Sequence, residues 1–381
     1  MYRLYHLLFL VELNIFLIVA HLYALFTGQK NQKGSVRKIL ALPYYPLNYA
    51  GGHSRIGDWK PYFEKAGIQY DVHWASTSEA FLNELDKGSR LQNYLFYHQL
   101  MFRRFKVIFR LQQYDTIWIQ RAFVPFYPFT DAYFEPILRK INNRIIVDYY
   151  DADYCSNYKL TLNTAKSAYK VTVAGPYLVN FFAEKGIKTS FVRFAMNYRE
   201  YKLHGHKSDD KIVLGWMGSP ANFKNVLDIE NELLKIENQF PQIEFHFICR
   251  EVPDLKLKRY KNYKWGDPGF DYHKAIANFD IGLAPMIHAT ERDKAKTAFK
   301  TLEYMASGLA FMTSPWGISD QLKDNENCLF ANTKEEWELK LSILVRDKVL
   351  RQKLGQNARK TLEQYHSYDN VFESLQQALT H

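Results

Sequence analysis

The stretch FDIGLAPMIHATERDKAKTAFKTLEYMASG, residues 279–308, joins a short apolar run to a helical pattern that stops at a glycine. The apolar run Phe279–Met286 predicts a buried strand, and the segment TAFKTLEYMAS predicts a helix. Gly308 is typical of a helix C-terminus, and the apolar run Leu309–Gly317 predicts another buried strand. Strand, helix and strand in this order are typical of a parallel α/β sheet.

Charged residues in this helical pattern are typical of an anion site. Lys296 and Lys300 are spaced to lie one turn apart on one helix face, where both can neutralise phosphate oxygens. Free N–H groups near Thr297 and Ala298, at the predicted helix start, can bind a diphosphate. Glu303 is placed to accept hydrogen bonds from a ribose diol. The same spacing also fits a solvated helix face on which Glu303 pairs with Lys300.

The alternation of apolar runs and helical patterns extends over most of the chain. One series of predicted strands comprises 36–46, 68–74, 114–121, 144–154 and 168–175, and a second comprises 211–219, 243–250, 279–286 and 309–317. The polar stretch 190–211 separates them. The sequence therefore predicts an α/β protein of two Rossmann-like domains facing across a cleft, over 35–202 and 203–381. The terminal helices can pack back onto the first domain.

Composition narrows the classes of function. With 381 residues, 47% hydrophobic and 24% charged, the chain is globular and large enough for two domains. A formal net charge of +10 indicates a polyanionic partner, either nucleic acid, an anionic membrane or a phosphorylated substrate. Because the basic residues are dispersed and no recognised module occurs, we expect no nucleic acid. Cys155, Cys249 and Cys328 lack metal-ligand spacing and are predicted to be reduced thiols.

The N-terminal segment 1–34 contains a long apolar stretch, Leu7–Phe26, which is interrupted by Glu12. Its length can span a bilayer, but an acid near its middle is costly. Four cations follow it, at positions 30, 33, 37 and 38, and predict that the main body lies in the cytoplasm, at the inner face of the cell membrane. Whether the segment spans the membrane, lies on it or packs as an ordinary amphipathic helix stays open.

A second stretch, Leu100–Gln112, is a further candidate for membrane contact. It places cations on one helical face and apolar residues on another. Such a helix can lie on an anionic membrane and deliver the protein to a lipid-linked acceptor, or it can pack on the core with a basic outer face.

Ligands of parallel sheets bind beyond the carboxyl ends of the strands, so the loops there supply further candidates. The candidate contacts to an anionic ligand are Gly51, Gly52, Gly218, Ser219, Lys224 and Arg250. Paired glycines let a backbone approach a ligand, although a plain tight turn explains Gly51 and Gly52 equally well. An exposed surface position is the alternative for Arg250.

The ordered blocks of the C-terminal half resemble the C-terminal domain of family 4 glycosyltransferases, which have the GT-B fold. The helix before Gly308, TSPWG at 313–317, ENCLFA at 326–331 and EEW at 335–337 follow the order of that family. GWMGSP at 215–220 is similar to the loop that opens this domain, and LPYYPLNYAGGHSR at 42–55 resembles the N-terminal glycine-rich loop. The resemblance covers residues 36–381.

The resemblance implies transfer of a sugar from a nucleotide-diphosphate donor to a hydroxyl acceptor, with retention of configuration and without metal or cofactor. Cell-surface polysaccharide or glycolipid synthesis is the expected role. The expected partners are a nucleotide-sugar donor, a glycan or lipid-linked acceptor and a membrane surface. A catalytically silent sugar-nucleotide-binding or scaffold protein of the same fold is the alternative.

Single residues follow from the same resemblance. Glu303 matches the second glutamate of the E-x7-E motif, which holds the donor ribose, whereas Ala295 stands where the first is expected. A K-x3-K-x2-E version of the loop matches Lys296, Lys300 and Glu303; Glu291 or Asp293 could replace the missing acid. Lys224 is the candidate for the phosphate-facing lysine and, with Lys296, would stabilise the leaving diphosphate.

An acidic run follows the predicted strand IIVD, where many relatives have a histidine. Asp151 and Asp153 are candidate catalytic residues that accept the proton of the acceptor hydroxyl or orient it, with Asp148 before them. An acidic loop that caps the next helix is the alternative. Because metal-binding DxD motifs belong to another glycosyltransferase fold, no metal is expected. Arg121, which ends another strand, is predicted to point into the same cleft.

Overall fold

The computed structural model describes the chain apart from residues 1, 33, 78, 80–88, 128, 206–209, 265, 266, 268 and 298. The chain divides into two compact units, Met1–Phe194 with Phe372–His381, and Ala195–Val371. The sequence instead placed 1–34 in a segment of its own and the boundary after residue 202. The stretch after Phe194 groups with the second unit, where the N–H of Met196 donates to the carbonyl of His366 at 2.7 Å.

The first unit is built on a parallel sheet of six strands in the order β2-β1-β3-β4-β5-β6. The strands are β1 (Lys38–Leu42), β2 (Gln69–Val72), β3 (Thr116–Gln120), β4 (Ile145–Tyr149), β5 (Lys170–Val173) and β6 (Thr189–Phe191). The helices are α1 (Tyr2–Thr27), α2 (Ala50–His53), α3 (Lys60–Lys65), α4 (Arg90–Ile108), α5 (Glu135–Ile141), α6 (Tyr158–Ser167) and α7 (Pro176–Ala183).

The second unit is built on another parallel sheet of six strands, in the order β12-β11-β10-β7-β8-β9. The strands are β7 (Ile212–Met217), β8 (Ile243–Ile248), β9 (Tyr260–Tyr263), β10 (Ile281–Ala284), β11 (Ala310–Thr313) and β12 (Leu329–Phe330). The helices are α8 (Lys224–Leu227), α9 (Glu230–Gln239), α10 (Tyr272–Ile276), α11 (Glu291–Ala295), α12 (Phe299–Ala306), α13 (Lys334–Arg346) and α14 (Lys348–His366). The last helix, α15 (Tyr368–Thr380), runs from this unit into the last residues of the first.

Continuous apolar runs form the central strands, because both faces of a parallel sheet are covered by helices. Every residue of β3, β4, β7, β10 and β11 is buried. The predicted helix stop is confirmed at Gly308, whose φ of 67° lies in the left-handed region that favours glycine. Its N–H donates to the carbonyl of Met305 at 3.0 Å and closes α12.

Candidate functional site

The candidate anion site lies in the second unit, where the loop after β7 meets α12. Lys300, on the first turn of α12, places Nζ 4.6 Å from the ring centroid of buried Trp216. A Cβ atom on Gly218 would lie 2.9 Å from that ring and 3.6 Å from Lys300 Nζ. The absence of a side chain at Gly218 therefore lets the ammonium group and the end of β7 lie close together. Two of the predicted contacts, Gly218 and Lys300, are thus neighbours.

The prediction that Lys296 and Lys300 share one helix face is wrong. Helix α11 ends at Ala295, Lys296 is extended with φ −62° and ψ 147°, and α12 begins at Phe299. Lys296 therefore precedes the helix that carries Lys300, and a capping box in which Thr290 and Asp293 bond each other's backbone N–H starts the separate short helix α11. Thr290 followed three residues later by Asp293 is the sequence signal for this helix start.

Thr297 and Ala298 were predicted to supply N–H groups at the start of the helix TAFKTLEYMAS. Ala298 lies outside the described residues, so this prediction is open at that position. Thr297 is half-buried and precedes α12, and its carbonyl accepts from the N–H of Phe299 at 2.8 Å.

Lys296 reaches the loop after β7 despite its extended backbone. Its Nζ donates to Asp293 Oδ1 at 2.7 Å and lies 3.5 Å from Asn222 Oδ1. Asn222 in turn donates to Ser219 Oγ at 3.0 Å, so the predicted contacts Ser219 and Lys296 belong to one cluster. Burial disfavours the ionised Asp293, but hydrogen bonds from Lys296 and Thr290 outweigh it and lower the pKa of this carboxyl to about 2.

Lys300 carries a poorly solvated charge. Burial lowers the pKa of its ammonium group from the ordinary 10.5 to about 8, and the nearby charge of Lys296 acts in the same direction. Among the described residues, Lys300 has no ion-pair partner. A lysine in this state gains free energy from any anion that enters its surroundings.

Glu303 is buried on the same helix, with 6% of its surface exposed. Its Oε1 accepts hydrogen bonds from the hydroxyls of Tyr201, at 3.3 Å, and Tyr272. Burial raises the pKa of this carboxyl to about 8, against the opposite effect of the Tyr201 hydroxyl. In the part of the chain that the structure describes, Glu303 forms no ion pair with Lys300, so the intrahelical pairing considered from the sequence does not occur.

Tyr201 and Tyr272 were not found by sequence reasoning. Tyr201 belongs to the stretch that was interpreted as a polar linker, and Tyr272 opens α10, whose N-cap is Asp271. Neither position carries a motif, and both approach Glu303 only through tertiary structure. A double tyrosine contact to one carboxylate has no local sequence signal.

Of three other predicted positions in this unit, two are exposed and one is buried. Lys224 begins the short helix α8 and is exposed, and Arg250 follows β8 and is also exposed. Neither side chain makes a hydrogen bond or an ion pair with another described residue. Ala295, where the resemblance implies an acid, is buried with 2% exposure, and its neighbour Asp293 is held by Thr290 and Lys296.

The acidic run of the first unit surrounds Arg121. Asp151 Oδ2 lies 2.5 Å from Arg121 Nη2, and Asp153 Oδ1 lies 2.8 Å from Nη1. The rings of Tyr45 and Tyr150 lie 5.3 Å and 4.5 Å from the guanidinium carbon. Arg121 adopts φ 63°, which is uncommon for a residue with a side chain. The alternative of a helix-capping acidic loop is wrong.

The next helix, α6, is instead capped by Asn157, whose Oδ1 accepts from the N–H of Leu160 at 3.1 Å. Asp148 also has a structural position. It is fully buried and accepts from Arg55 Nη2 at 2.7 Å and from Thr172 Oγ1 at 2.6 Å. Arg55 Nη1 donates further to the carbonyl of Val192 at 2.8 Å. These bonds fasten α2 and the turn that follows it to the centre of the first sheet.

The glycine pair after β1 has an explanation within the fold. A Cβ on Gly51 would lie 2.2 Å from the hydroxyl oxygen of Tyr150, and one on Gly52 would lie 2.1 Å from the carbonyl oxygen of Pro46. The loop packs too tightly against its own chain for any side chain at either position. A role of Gly51 and Gly52 in donor binding stays a prediction.

Within the described ranges, no group of three or more His, Cys, Asp or Glu side chains could hold a metal ion. That the chemistry needs no metal stays a prediction.

Comparisons with known proteins agree on the architecture. Residues 231–377 match a family model described as glycosyl transferase-like. No curated protein sequence matches the chain. HepE from Anabaena, solved in complex with UDP and glucose, has a TM-score of 0.60 at 15% identity and covers 90% of this chain and 99% of its own.

Two further solved structures are similar. A glycosyltransferase from Rickettsia africae has a TM-score of 0.65 at 11% identity, covering 90% of this chain and 98% of its own. Sucrose-phosphate synthase from Thermosynechococcus elongatus has a TM-score of 0.63 at 12% identity, covering 90% and 97%. At these identities the likeness concerns the fold, and the two parallel six-stranded sheets with an N-terminal apolar helix confirm the predicted two-domain α/β GT-B fold.

Proposed function

We propose that this protein is a glycosyltransferase that moves a sugar from a nucleotide-diphosphate donor to a hydroxyl acceptor. The observation that carries the proposal is the pair on α12, where the undersolvated Lys300 lies three residues before the buried Glu303. This helix falls inside the region matched by the glycosyl transferase-like model. HepE, which has a similar fold, was solved with UDP and glucose.

The donor would be held by the second unit. Lys300 and Lys296 would neutralise the diphosphate, with Lys224 and Arg250 as exposed cations able to join them, and Gly218 and Ser219 would line its approach. Glu303 would accept the ribose hydroxyls through Oε2, since both tyrosine hydroxyls donate to Oε1. The leaving diphosphate would be stabilised by lysines instead of a divalent cation.

The acceptor side rests on Asp151 and Asp153. Asp151 has the more exposed carboxylate, with 37% exposure against 20% for Asp153. Because Arg121 pairs with both, these acids would orient an acceptor hydroxyl and take its proton only as the sugar transfers. Membership of family 4, retention of configuration and a role in cell-surface polysaccharide or glycolipid synthesis belong to the same proposal and rest on the sequence resemblance.

The test is a thermal-shift and calorimetry panel of UDP-, GDP-, ADP- and CMP-sugars with the full chain. We expect one base class to stabilise the wild type. Glu303→Ala should weaken that binding by about 1.5–3 kcal/mol, as expected for charge-assisted hydrogen bonds. Glu326→Gln, an exposed acid of the same unit, is the matched control and should bind normally.

A second variant separates a loss of binding from a loss of folding. Glu303→Gln keeps an oxygen for the tyrosine hydroxyls and should fold, but it should still bind more weakly. Unchanged donor affinity in both folded variants would remove Glu303 from the site. Binding without transfer to any acceptor would favour the silent sugar-nucleotide-binding protein, which the alanine at position 295 suggests.

A further inference from the structure

The N-terminal helix α1 packs along the first unit for most of its length. The ring of Phe9 stacks on Tyr127 with centroids 4.0 Å apart, and Phe16 stacks on Phe105 at 4.3 Å. Near the end of the helix, the hydroxyl of Tyr23 donates to the carbonyl of Phe109 at 3.1 Å. These three contacts, spread along α1 from Phe9 to Tyr23, hold the helix against the surface of the unit.

The opposite face of α1 is apolar and exposed. Its side chains have between 37% and 87% of their surface exposed. They are Leu7, Leu8, Leu10, Val11, Ile15, Ile18, Val19, Leu22, Leu25 and Phe26. By length and composition, Leu7–Thr27 is the one described helix that could cross a membrane. A contiguous apolar surface of this size is unusual for a protein surrounded only by water.

The polar side chains Glu12, Asn14 and His21 of α1 each have a partner within the protein. Glu12 is the one acid of the helix, and its Oε1 lies 2.5 Å from His98 Nδ1 on α4. Asn14 donates to the carbonyl of Leu10 at 2.7 Å, and the His21 ring bonds that of Leu17 at 2.9 Å. Bonds back to the same helix are needed where water is absent, since an unpaired polar group in hydrocarbon costs several kcal/mol.

The apolar face continues onto α4. Leu91, Leu95 and Phe102, spaced by four and seven residues, are 40% to 47% exposed and lie on one stripe. The rings of Phe16 and Phe102 lie 6.2 Å apart and join the two helices. Lys106 Nζ lies 4.3 Å from the Phe102 ring centroid, and residues 90–114 contain no acid. The apolar surface is therefore bordered by Lys106 and by no acid of α4, as binding to an anionic lipid surface requires.

We propose that α1 and α4 together form a surface that seats the protein on an anionic bilayer, with α1 lying in the plane of the membrane and not crossing it. Crossing would require α1 to leave Tyr127, Phe105 and Phe109, or to draw the cations of α4 into the hydrocarbon. Seated in the plane, the exposed stripe enters the acyl boundary while Glu12 stays paired with His98. This inference does not depend on the proposed sugar transfer.

Binding is tested with the full chain and vesicles. A far larger fraction of the protein should sediment with vesicles of equal parts phosphatidylcholine and phosphatidylglycerol than with vesicles of phosphatidylcholine alone. Ile15→Glu and Ile18→Glu should each weaken binding by roughly 10-fold to 100-fold, the loss expected when one isoleucine is no longer buried. Val349→Glu, at a 74% exposed apolar position of the second unit, is the matched control and should bind as the wild type does.

Orientation is tested by labelling. In a Cys155→Ser background, Gln29→Cys and a cysteine added before residue 1 are exposed to a membrane-impermeant maleimide outside sealed vesicles. Labelling of both ends from the same side is expected, whereas protection of one end shows a spanning helix and overturns the proposal. Failure to bind vesicles also overturns it, as does a soluble dimer that Ile15→Glu dissociates, which would assign the stripe to a second copy of the chain.

Discussion

Replacing Lys300 by methionine should stabilise the ligand-free protein at neutral pH. Methionine keeps the apolar stem beside Trp216 and removes the charge. The pKa of Lys300 falls from 10.5 to about 8 through burial. Since one pKa unit corresponds to about 1.4 kcal/mol, keeping this ammonium charged in the fold costs about 3 kcal/mol. Loss of the cation–π contact with Trp216, about 1 kcal/mol, leaves a net gain of roughly 2 kcal/mol.

The stability difference between Lys300→Met and the wild type should depend on pH. The folded pKa lies below the unfolded one, so between about pH 8 and pH 10.5 the unfolded chain binds more protons at Lys300 than the native state does. In the wild type this residue's contribution to the free energy of unfolding therefore rises with pH across that window. The advantage of Lys300→Met is largest below pH 8 and shrinks as the pH approaches 10.5.

The measurement is urea unfolding of the wild type and Lys300→Met at several pH values. The quantity compared is the difference between their free energies of unfolding. Other shifted groups, such as Lys170 with a pKa lowered by burial to about 8, are common to both chains and cancel. Lys353→Met, at an exposed lysine of α14, should show no pH-dependent difference from the wild type. A Lys300→Met variant that is less stable at pH 7, or a difference flat from pH 7 to 10, refutes the desolvated lysine. The nucleotide that stabilises the wild type should raise the Tm of Lys300→Met much less.

Two further predictions concern the buried ion pair and the metal. Asp148→Asn should lower the free energy of unfolding by about 3–5 kcal/mol, because Arg55 stays buried at 1% exposure without its counter-charge. The control is Asp58→Asn, at a partly exposed acid of the same unit that pairs with His53, and an equal unfolding midpoint of the two variants would contradict this. Transfer activity should survive EDTA, and complete loss that Mg²⁺ or Mn²⁺ restores would instead make Asp151 and Asp153 metal ligands.

The central strands could be predicted from sequence because they are buried on both sides. The run from Ile212 to Met217 is apolar throughout, and no pairing partner is needed to recognise it. The edge strands β6, β9 and β12 were missed for the opposite reason. β9 reads YKNY and is largely exposed, and β12 has 2 residues, so both depend on the neighbouring strand for their conformation.

In the candidate site, too, local relations could be predicted from sequence, whereas contacts between distant segments could not. The relation of Lys300 to Glu303 is local, since three residues on one helix share a face in any fold. The helix was predicted to start at Thr297, close to its observed start at Phe299, whereas the short helix α11 before it was not predicted. The contacts of Tyr201 and Tyr272 with Glu303 depend on how distant segments pack, and no spacing rule reaches that far.

The directions of the pKa shifts on α12 argue against a self-neutralised helix face. Had Lys300 and Glu303 paired with each other, the lysine pKa would be raised and the glutamate pKa lowered. Burial instead lowers the pKa of Lys300 to about 8 and raises that of Glu303 to about 8. Each group is thus disfavoured in its charged form, and neither compensates the other. In the proposed function, an incoming diphosphate would supply the counter-charge that Lys300 lacks, and a ribose diol would supply hydrogen bonds that favour the ionised Glu303.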